Sequence, residues 1–287
     1  MTGIGDSAFP TQIDVQLRQA DLGRDGTAST VGVARWLEDA RVRVRLPRFE
    51  RLVKAGRFGP FHILLVGQRV ERLAPVRWAD ASVKVHTGFR RVGRASFTFE
   101  QAVLVGGKQV GSGDATVVLG GAAGALALPD ELVADLHELK LPESDQVAWA
   151  IPDAERHQRD HYAFFAPLRA RIGDVDSNQH VNFIALATWY DDAVATLSLA
   201  DVAAGEKGLG SYLPPWSYRI QYSGEVTYPG HYDVAVQVRP SDGGSVHYEL
   251  GIFRGDTCLG LADAIGVRGE PPTARSSGTS NWQTQSS

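Results

Sequence analysis

The feature that most constrains this chain is an internal repeat. Residues 18–40 align without a gap with residues 171–193, at an offset of 153 positions. A second, weaker match joins residues 110–120 to residues 259–269. Matching segments in the same order indicate that each half of the chain builds the same unit. The identical pairs include Arg18 and Arg171, Asp21 and Asp174, Trp36 and Trp189, Asp39 and Asp192, Ala40 and Ala193, Gly111 and Gly260, Asp114 and Asp263, and Ala115 and Ala264.

The order of predicted elements is the same in both halves: a short strand, a polar loop, a helix and then a run of strands. Apolar residues at helical spacing predict helices over about 29–46 and 181–200. Alternating apolar residues predict strands, for example over 95–105 and 232–240. One helix followed by a long antiparallel meander is an α+β pattern, in which the strands of each half wrap around that half's helix.

These elements divide the chain into four predicted segments. Residues 10–128 form the N-terminal repeat and residues 161–269 the C-terminal repeat. Residues 129–160 connect the repeats, and proline at the first turn predicts a short helix over 129–139. The end of the chain, 270–287, is rich in Pro, Ser, Thr and Gly, and we predict that it is disordered.

Composition narrows the class of protein. The 287 residues are 43% hydrophobic with a net charge of −4, which is typical of a globular protein with a core and argues against a nucleic-acid partner. A single cysteine, Cys258, excludes an internal disulfide and a cysteine-based zinc site. No apolar run approaches the roughly 20 residues of a membrane span. The N-terminal sequence lacks a basic region followed by an apolar one, so we expect no signal peptide and a cytoplasmic location.

The two polar loops differ in chemistry. Both open with an arginine and an acid, which is most simply a structural ion pair or turn hydrogen bond. Beyond that pair, the second repeat has Asp176, Asn178, His180 and Asn182 where the first has Gly23, Asp25, Thr27 and Ser29. Taken singly, these residues are ordinary turn and N-cap residues. Together with a histidine and the positive end of a helix, they indicate acyl-transfer chemistry at a helix N-terminus.

The run DVDSNQHVN (174–182), within this tandem layout, resembles the acyl-ACP thioesterases of plants and bacteria. The first repeat is similar to their substrate-side repeat, and the similarity covers roughly residues 12–268. The resemblance implies a tandem (double) hot-dog fold and thioester hydrolysis without a metal or other cofactor. It also implies catalytic roles for Asp176, Asn178 and His180, and for Glu225 in the segment IQYSGEVTY.

Two positions depart from the family pattern. Val226 stands where plant members have a cysteine, which argues against a cysteine nucleophile, and Phe183 replaces a frequent second asparagine. Either Asp176 or Glu225 could be the base or nucleophile. We expect the backbone N–H groups of Val181, Asn182 and Phe183 to hold the oxyanion.

The substrate side has two sets of candidates. Val33, Trp36 and Leu37 could line the acyl slot that the family has in its first repeat, although plain core is the alternative interpretation. The basic stretch 40–58 could dock an acidic acyl carrier protein or coenzyme A, with a solvated surface as the alternative. Its candidate docking residues are Arg41, Arg45, Arg48 and Arg51.

The predicted activity is hydrolysis of fatty acyl-ACP thioesters. Two alternatives stay open: an acyl-CoA thioesterase, and a non-catalytic acyl-binding protein of the same fold. A hot-dog dehydratase fits less well because of the loop motif. Since two repeats in one chain already form a pseudo-dimer, we expect a monomer or a homodimer.

Overall fold

The structure is a computed structural model that describes residues 9–56, 62–80, 82–121, 124–143, 152–177, 179–203, 213–240 and 244–267. The predicted tail, 270–287, lies outside these ranges. Short 3-10 turns occur at Gln19–Asp21, Ala154–His157, Arg159–His161 and Ile172–Asp174. The larger elements are β1 (Thr11–Val15), α1 (Thr30–Lys54), β2 (His62–Arg72), β3 (Val83–Val92), β4 (Ser96–Val105), β5 (Lys108–Gly121), β6 (Gly124–Ala125), α2 (Asp130–Glu138), β7 (Phe164–Arg169), α3 (Phe183–Ala203), β8 (Pro215–Tyr222), β9 (His231–Pro240), β10 (Ser245–Arg254) and β11 (Thr257–Val267).

All the described strands belong to one antiparallel sheet. Its order is β1-β3-β4-β5-β2-β8-β11-β10-β9-β7, with β6 paired to β5. The two halves of this order mirror each other and meet at β2 and β8, where Gly67–Glu71 pair with Ser217–Gln221. Each half contributes one long helix, which packs against its own strands. The predicted α+β double hot-dog fold is therefore confirmed.

The two repeats share one hydrophobic core. Trp36 and Leu37 of α1 belong to the same buried cluster as Trp189 and Tyr190 of α3. A second cluster joins the far end of α1 to α2, whose Leu132 and Leu136 are fully buried. The first part of the predicted connector thus packs onto the N-terminal repeat. No helix in the described part of the chain is long and apolar enough to cross a membrane.

Both long helices differ from their predicted bounds. α1 runs to Lys54, eight residues beyond the predicted end at 46, and continues through Pro47. Proline removes one backbone donor, but burial of Phe49 and Leu52 in the second cluster holds the extension in place. α3 begins at Phe183 instead of 181, because Val181 forms an isolated bridge to Val175 and Asn182 caps the helix.

A row of charged side chains crosses the sheet on the face away from the helices. In register, the row is Glu100, Asp114, Arg69, Arg219, Asp263 and Glu249. Each half places its repeated aspartate against an arginine: Asp114 lies 2.8 Å from Arg69, and Asp263 lies 3.0 Å from Arg156. Asp114 and Asp263 therefore serve as ion-pair partners within the fold.

Candidate active site

The arginine and acid shared by the two loops form the same turn in each repeat. The Asp174 carboxylate accepts the Arg171 backbone N–H at 2.8 Å, and the Asp21 carboxylate accepts the Arg18 N–H at 2.9 Å. The prediction of a turn hydrogen bond is confirmed. The pair shapes the loop that leads to each helix, so it does not distinguish one repeat from the other.

A tight turn follows in the second repeat. The Asp176 N–H donates to the His180 carbonyl at 2.9 Å, and the Gln179 N–H donates to the Asp176 carbonyl at 3.0 Å. Gln179 has a φ of 67°, a left-handed conformation that is uncommon for a residue with a side chain. This turn brings Asp176, which is half-buried, and His180 to its two ends. Asn178 lies outside the described residues, so its catalytic role stays a prediction.

Glu225 comes to the same place from a distant part of the chain. The Val181 N–H donates to the Val226 carbonyl at 2.9 Å, and His180 forms an isolated bridge with Thr227. As a result, the His180 Nε2 atom lies 3.6 Å from the Glu225 Oε2 atom. The Glu225 side chain is 62% exposed and that of His180 30%, so both are open to a ligand from solvent.

Two of the three predicted oxyanion donors are already used by the fold. The Val181 N–H donates to Val226, and the Asn182 N–H donates to the Asp174 carbonyl at 2.7 Å. These amides hold the loop together, so the prediction for Val181 and Asn182 needs correction. The Phe183 N–H is in the first position of α3, where a helix has no internal acceptor. It donates to no backbone carbonyl of the described loops and turns.

Asn182 connects the loop to the first repeat. Its Oδ1 accepts the Ile184 N–H at 2.7 Å, which is an N-cap interaction. Its Nδ2 donates to Glu38 Oε1 of α1 at 3.2 Å. Phe183, next along the chain, lies with its ring 4.9 Å from that of Tyr222 at the end of β8. The start of α3 therefore lies at the interface between the two repeats.

The residues proposed to line an acyl slot lie in close-packed core. Val33, Trp36 and Leu37 are each at most 2% exposed. Trp36 Nε1 donates to the Asp21 carboxylate at 2.9 Å, and Leu37 packs so closely on Gly113 that an added Cβ would lie 2.5 Å from it. This packing matches the alternative interpretation as core, and leaves no gap between α1 and the sheet at Leu37.

The four predicted docking arginines do not form one surface. Arg41 is only 6% exposed and donates to Gln101 Oε1 at 3.1 Å, so its prediction as a docking residue is wrong. Arg45 is half-buried, and burial lowers its pKa to about 10. Arg48 is half-buried and donates to the Val44 carbonyl, while Arg51 is exposed and pairs with Asp135 of α2.

A groove of about 620 Å³ opens beside the loop, between β7 and α3. Arg171 and Ile172 of the loop, and Tyr228 after β8, contribute to its lining. Ile172, Leu199 and Tyr228 are among the exposed large hydrophobic residues, at 72%, 46% and 40%. The groove is therefore mixed in character, with these apolar side chains beside Arg169, Arg171 and Asp192.

The structure gives little support for a cysteine nucleophile or a metal site in the described ranges. Cys258 is half-buried, and burial raises the pKa of its thiol, which disfavours the nucleophilic thiolate. Val226 is buried and holds the loop through its carbonyl. In the described ranges no three His, Cys, Asp or Glu side chains lie close enough together to hold a metal ion.

Sequence reasoning missed the groups that face the loop from the first repeat and the central strands. These are Glu38, Gln68 and Tyr222, which meet the start of α3 only through folding. One weak signal existed for Glu38, because the repeat offset aligns it with another acid, Asp191. Asp191 also makes a cross-element bond, accepting the Tyr218 hydroxyl at 2.6 Å.

Comparison with known proteins bears on the fold. No protein-family model and no curated protein matches this chain. Among solved structures, a proposed oleoyl thioesterase from Lactobacillus plantarum matches with a TM-score of 0.67 and 14% identity, over 90% of this chain and 96% of that one. An acyl-ACP thioesterase from Bacteroides thetaiotaomicron gives 0.65 and 14%, over 89% and 96%.

A plant protein has the same architecture. The 12:0-ACP thioesterase from Umbellularia californica matches with a TM-score of 0.62 and 16% identity, over 88% of this chain and 95% of that one. At such low identity the likeness concerns the course of the backbone. The chain has the double hot-dog fold that these three solved structures share.

Proposed function

We propose that this protein hydrolyses fatty acyl thioesters to a free fatty acid and a carrier thiol. The observation that carries the proposal is the meeting of His180 and Glu225 at 3.6 Å, beside Asp176 and the start of α3. A carboxylate, an imidazole and a helix N-terminus are the groups that acyl transfer needs. The first repeat has Gly23 and Thr27 at the positions of Asp176 and His180.

The reaction follows from this arrangement. The thioester carbonyl oxygen points at the Phe183 N–H and the positive end of α3, which stabilise the developing oxyanion. Asp176 or Glu225 removes a proton from water, whose oxygen attacks the carbonyl carbon, or attacks that carbon itself to form an acyl-enzyme anhydride that water then hydrolyses. The C–S bond breaks, and the departing thiolate takes up the proton removed from water or, in the second route, a proton from solvent, with His180 orienting the groups. Asn178 would polarise the carbonyl from the turn.

The carrier approaches along the groove between β7 and α3. Its mixture of apolar side chains with Arg169 and Arg171 suits a phosphopantetheine arm, which is amphipathic and carries phosphate. An acyl carrier protein is acidic, so the exposed Arg51 and half-buried Arg48 on α1 would contribute to docking it. Coenzyme A carries the same arm, and it is the alternative carrier.

The test is thiol release from acyl-ACP and acyl-CoA substrates with chains of about 8 to 18 carbons. We expect the wild type to cleave, and Asp176→Asn or Glu225→Gln to lower kcat/KM by about 10²- to 10⁴-fold for the residue that acts as base. Asp25→Asn is the matched control, because it removes a carboxylate from the equivalent loop of the first repeat.

The outcomes separate the alternatives. Cleavage that survives both carboxylate substitutions would contradict the proposed site. If no thioester is cleaved while fatty acids still bind, the chain is an acyl-binding protein. The ratio of rates on the two carriers identifies the physiological thiol.

A further inference from the structure

Four polar side chains lie between the two repeats, directly inside the start of α3. Glu38 and Arg41 lie on α1, three residues apart and so on the same face of that helix. Gln68 lies on β2 and Tyr222 at the end of β8. Asn182 donates to Glu38 at 3.2 Å, and Phe183 packs on Tyr222, so this inner polar cluster adjoins the proposed site.

Gln68 and Tyr222 have hydrogen-bonding capacity that no side chain or backbone group in the described part of the chain uses. Gln68 is 0% exposed, and its Nε2 donates to the Tyr222 hydroxyl at 3.0 Å. Its Oε1 has no hydrogen-bond partner within the described part of the chain. The half-buried Tyr222 hydroxyl accepts the Gln68 bond and has its own proton left to donate. Since buried polar groups are nearly always paired, these atoms are suited to a bound ligand or water.

Arg41 adds a cation to the same interior. Its Nη1 is fixed by Gln101, which is itself held by the Leu37 carbonyl and the Thr87 hydroxyl. Burial lowers the pKa of Arg41, and the nearby carboxylate of Glu38 opposes that shift. A guanidinium has five N–H donors, so one bond to Gln101 leaves donors for a ligand.

We propose that the inner polar cluster binds a hydroxyl group on the acyl chain of the substrate. This inference rests on the proposed function and names the substrate class of the same site. Arg41 and Tyr222 supply donors, Gln68 Oε1 supplies an acceptor, and a hydroxyl is the small group that satisfies both. A carboxylate would face two acceptors, Gln68 Oε1 and Glu38. An unsubstituted chain would leave Gln68 Oε1 and the remaining donors of Tyr222 and Arg41 without a partner from the substrate.

The experiment compares hydroxylated and unsubstituted acyl thioesters of equal length. Decanoyl-CoA and decanoyl-ACP are measured beside their isomers with a hydroxyl near the thioester, in mid-chain and at the chain end. We expect at least one isomer to exceed the unsubstituted substrate in kcat/KM by about tenfold or more. Tyr222→Phe and Gln68→Met should bring that ratio close to one while hydrolysis of decanoyl thioesters continues.

Arg72→Met is the control matched for burial. Like Arg41, Arg72 is a buried arginine, but it lies on β2 and outside the inner polar cluster. Its guanidinium stacks on the Trp216 ring at 3.9 Å. Arg72→Met should lower stability and leave the substrate ratio unchanged. Arg41→Met should lower the ratio. Comparing it with Arg72→Met distinguishes loss of the cation in the inner polar cluster from the general effect of losing a buried arginine.

Two results would overturn the inference. One is equal hydrolysis of all isomers by the wild type, which means that water satisfies the cluster. The other is a ratio that Tyr222→Phe and Gln68→Met leave unchanged. If no thioester is hydrolysed, the proposed function fails separately, and calorimetry decides the inference. Hydroxydecanoic acid should then bind about tenfold more tightly than decanoic acid, and equal affinities would reject the cluster as a hydroxyl site.

Discussion

Asn182 makes two hydrogen bonds that have different consequences. The bond from the Ile184 N–H to its Oδ1 caps α3, and the bond from its Nδ2 to Glu38 ties the loop to α1. Ser29 caps α1 in the equivalent position of the first repeat, accepting the Gly32 N–H at 2.9 Å. The two caps are alike, but only that of α3 stands next to the His180–Glu225 pair.

Substitutions at Asn182 separate these two bonds. We expect Asn182→Ala to lower the free energy of unfolding by about 1 kcal/mol, as Ser29→Ala should, because each removes one cap. Asn182→Ser keeps a capping oxygen and loses the bond to Glu38. It should restore most of the stability yet lower kcat/KM about tenfold, because the loop is then less well positioned. Chemical denaturation and thioester hydrolysis measure both; wild-type kinetics for Asn182→Ser would refute a positioning role.

At the scale of elements, the first turn of α1 packs directly on the backbone of the loop that precedes it, at Gly32. A Cβ on Gly32 would lie 2.3 Å from the Asp21 carbonyl oxygen, which is backbone and cannot move aside. The repeat offset places Ala185 at the matching position of α3. The two helices therefore leave their loops at different distances, although the repeat aligns them without a gap.

Gly32→Ala tests this close approach. In an ordinary helix the change adds about 1 kcal/mol of stability, because glycine is the weaker helix former. Here the steric clash outweighs propensity, and we expect the free energy of unfolding to fall by about 1 to 3 kcal/mol. Ala185→Gly is the reciprocal control and should cost about 1 kcal/mol. A higher Tm for Gly32→Ala would show that the loop is free to move away from α1.

At the scale of the whole molecule, the row of charges across the sheet is symmetric in position and asymmetric in electrostatics. Burial raises the pKa of Asp114, and Arg69 only partly offsets it. Burial also acts to raise the pKa of Asp263, but a hydrogen bond from His247 and the charge of Arg156 outweigh it and hold that pKa below its ordinary value. Equivalent aspartates therefore have opposite effects on the pH dependence of stability.

The sign follows from linkage between protonation and folding. The contribution of Asp263 is present above the ordinary aspartate pKa of about 4 and is lost as the pH falls through its lower folded value. For Asp114 the ionised form is disfavoured in the folded state, so its contribution becomes more favourable as the pH falls toward about 4.

We predict that the stability difference between wild type and Asp263→Asn shrinks as the pH falls below about 4. The difference between wild type and Asp114→Asn should shift in favour of the wild type as the pH falls from neutrality toward that value. Urea denaturation at a series of pH values measures both. The same sign of slope for the two variants would contradict the asymmetry.

Much of the fold was predictable because its signals are local. In 95–105 and 232–240, alternate residues are apolar and lie on one face of a strand, and the apolar spacing in 181–200 defines one face of a helix. The end of α1 was not predictable in this way. Pro47 is a helix-breaking signal, and it is overridden by tertiary contacts of Phe49 and Leu52, including that of Phe49 with Phe97 far along the chain.

In the candidate site too, some features were predictable from neighbouring residues and others depend on distant contacts. The crowding of Asp176 and His180 at a helix start is readable from adjacent residues. Their distance from Glu225 depends on the bond between Val181 and Val226, and the burial of Arg41 depends on Gln101, which is 60 positions away in sequence.

The sequence by itself determined that the chain is two copies of one α+β unit, and that only the second has an aspartate and a histidine crowded at the start of its helix. Tertiary structure decided which backbone amides of the loop are already hydrogen-bonded, which arginine is buried, and which polar groups of the first repeat meet the start of α3. The physical reason is that periodicity and turn chemistry depend on neighbours along the chain. Burial and hydrogen-bond partners depend on surfaces that meet only when the two repeats close into one sheet and one core.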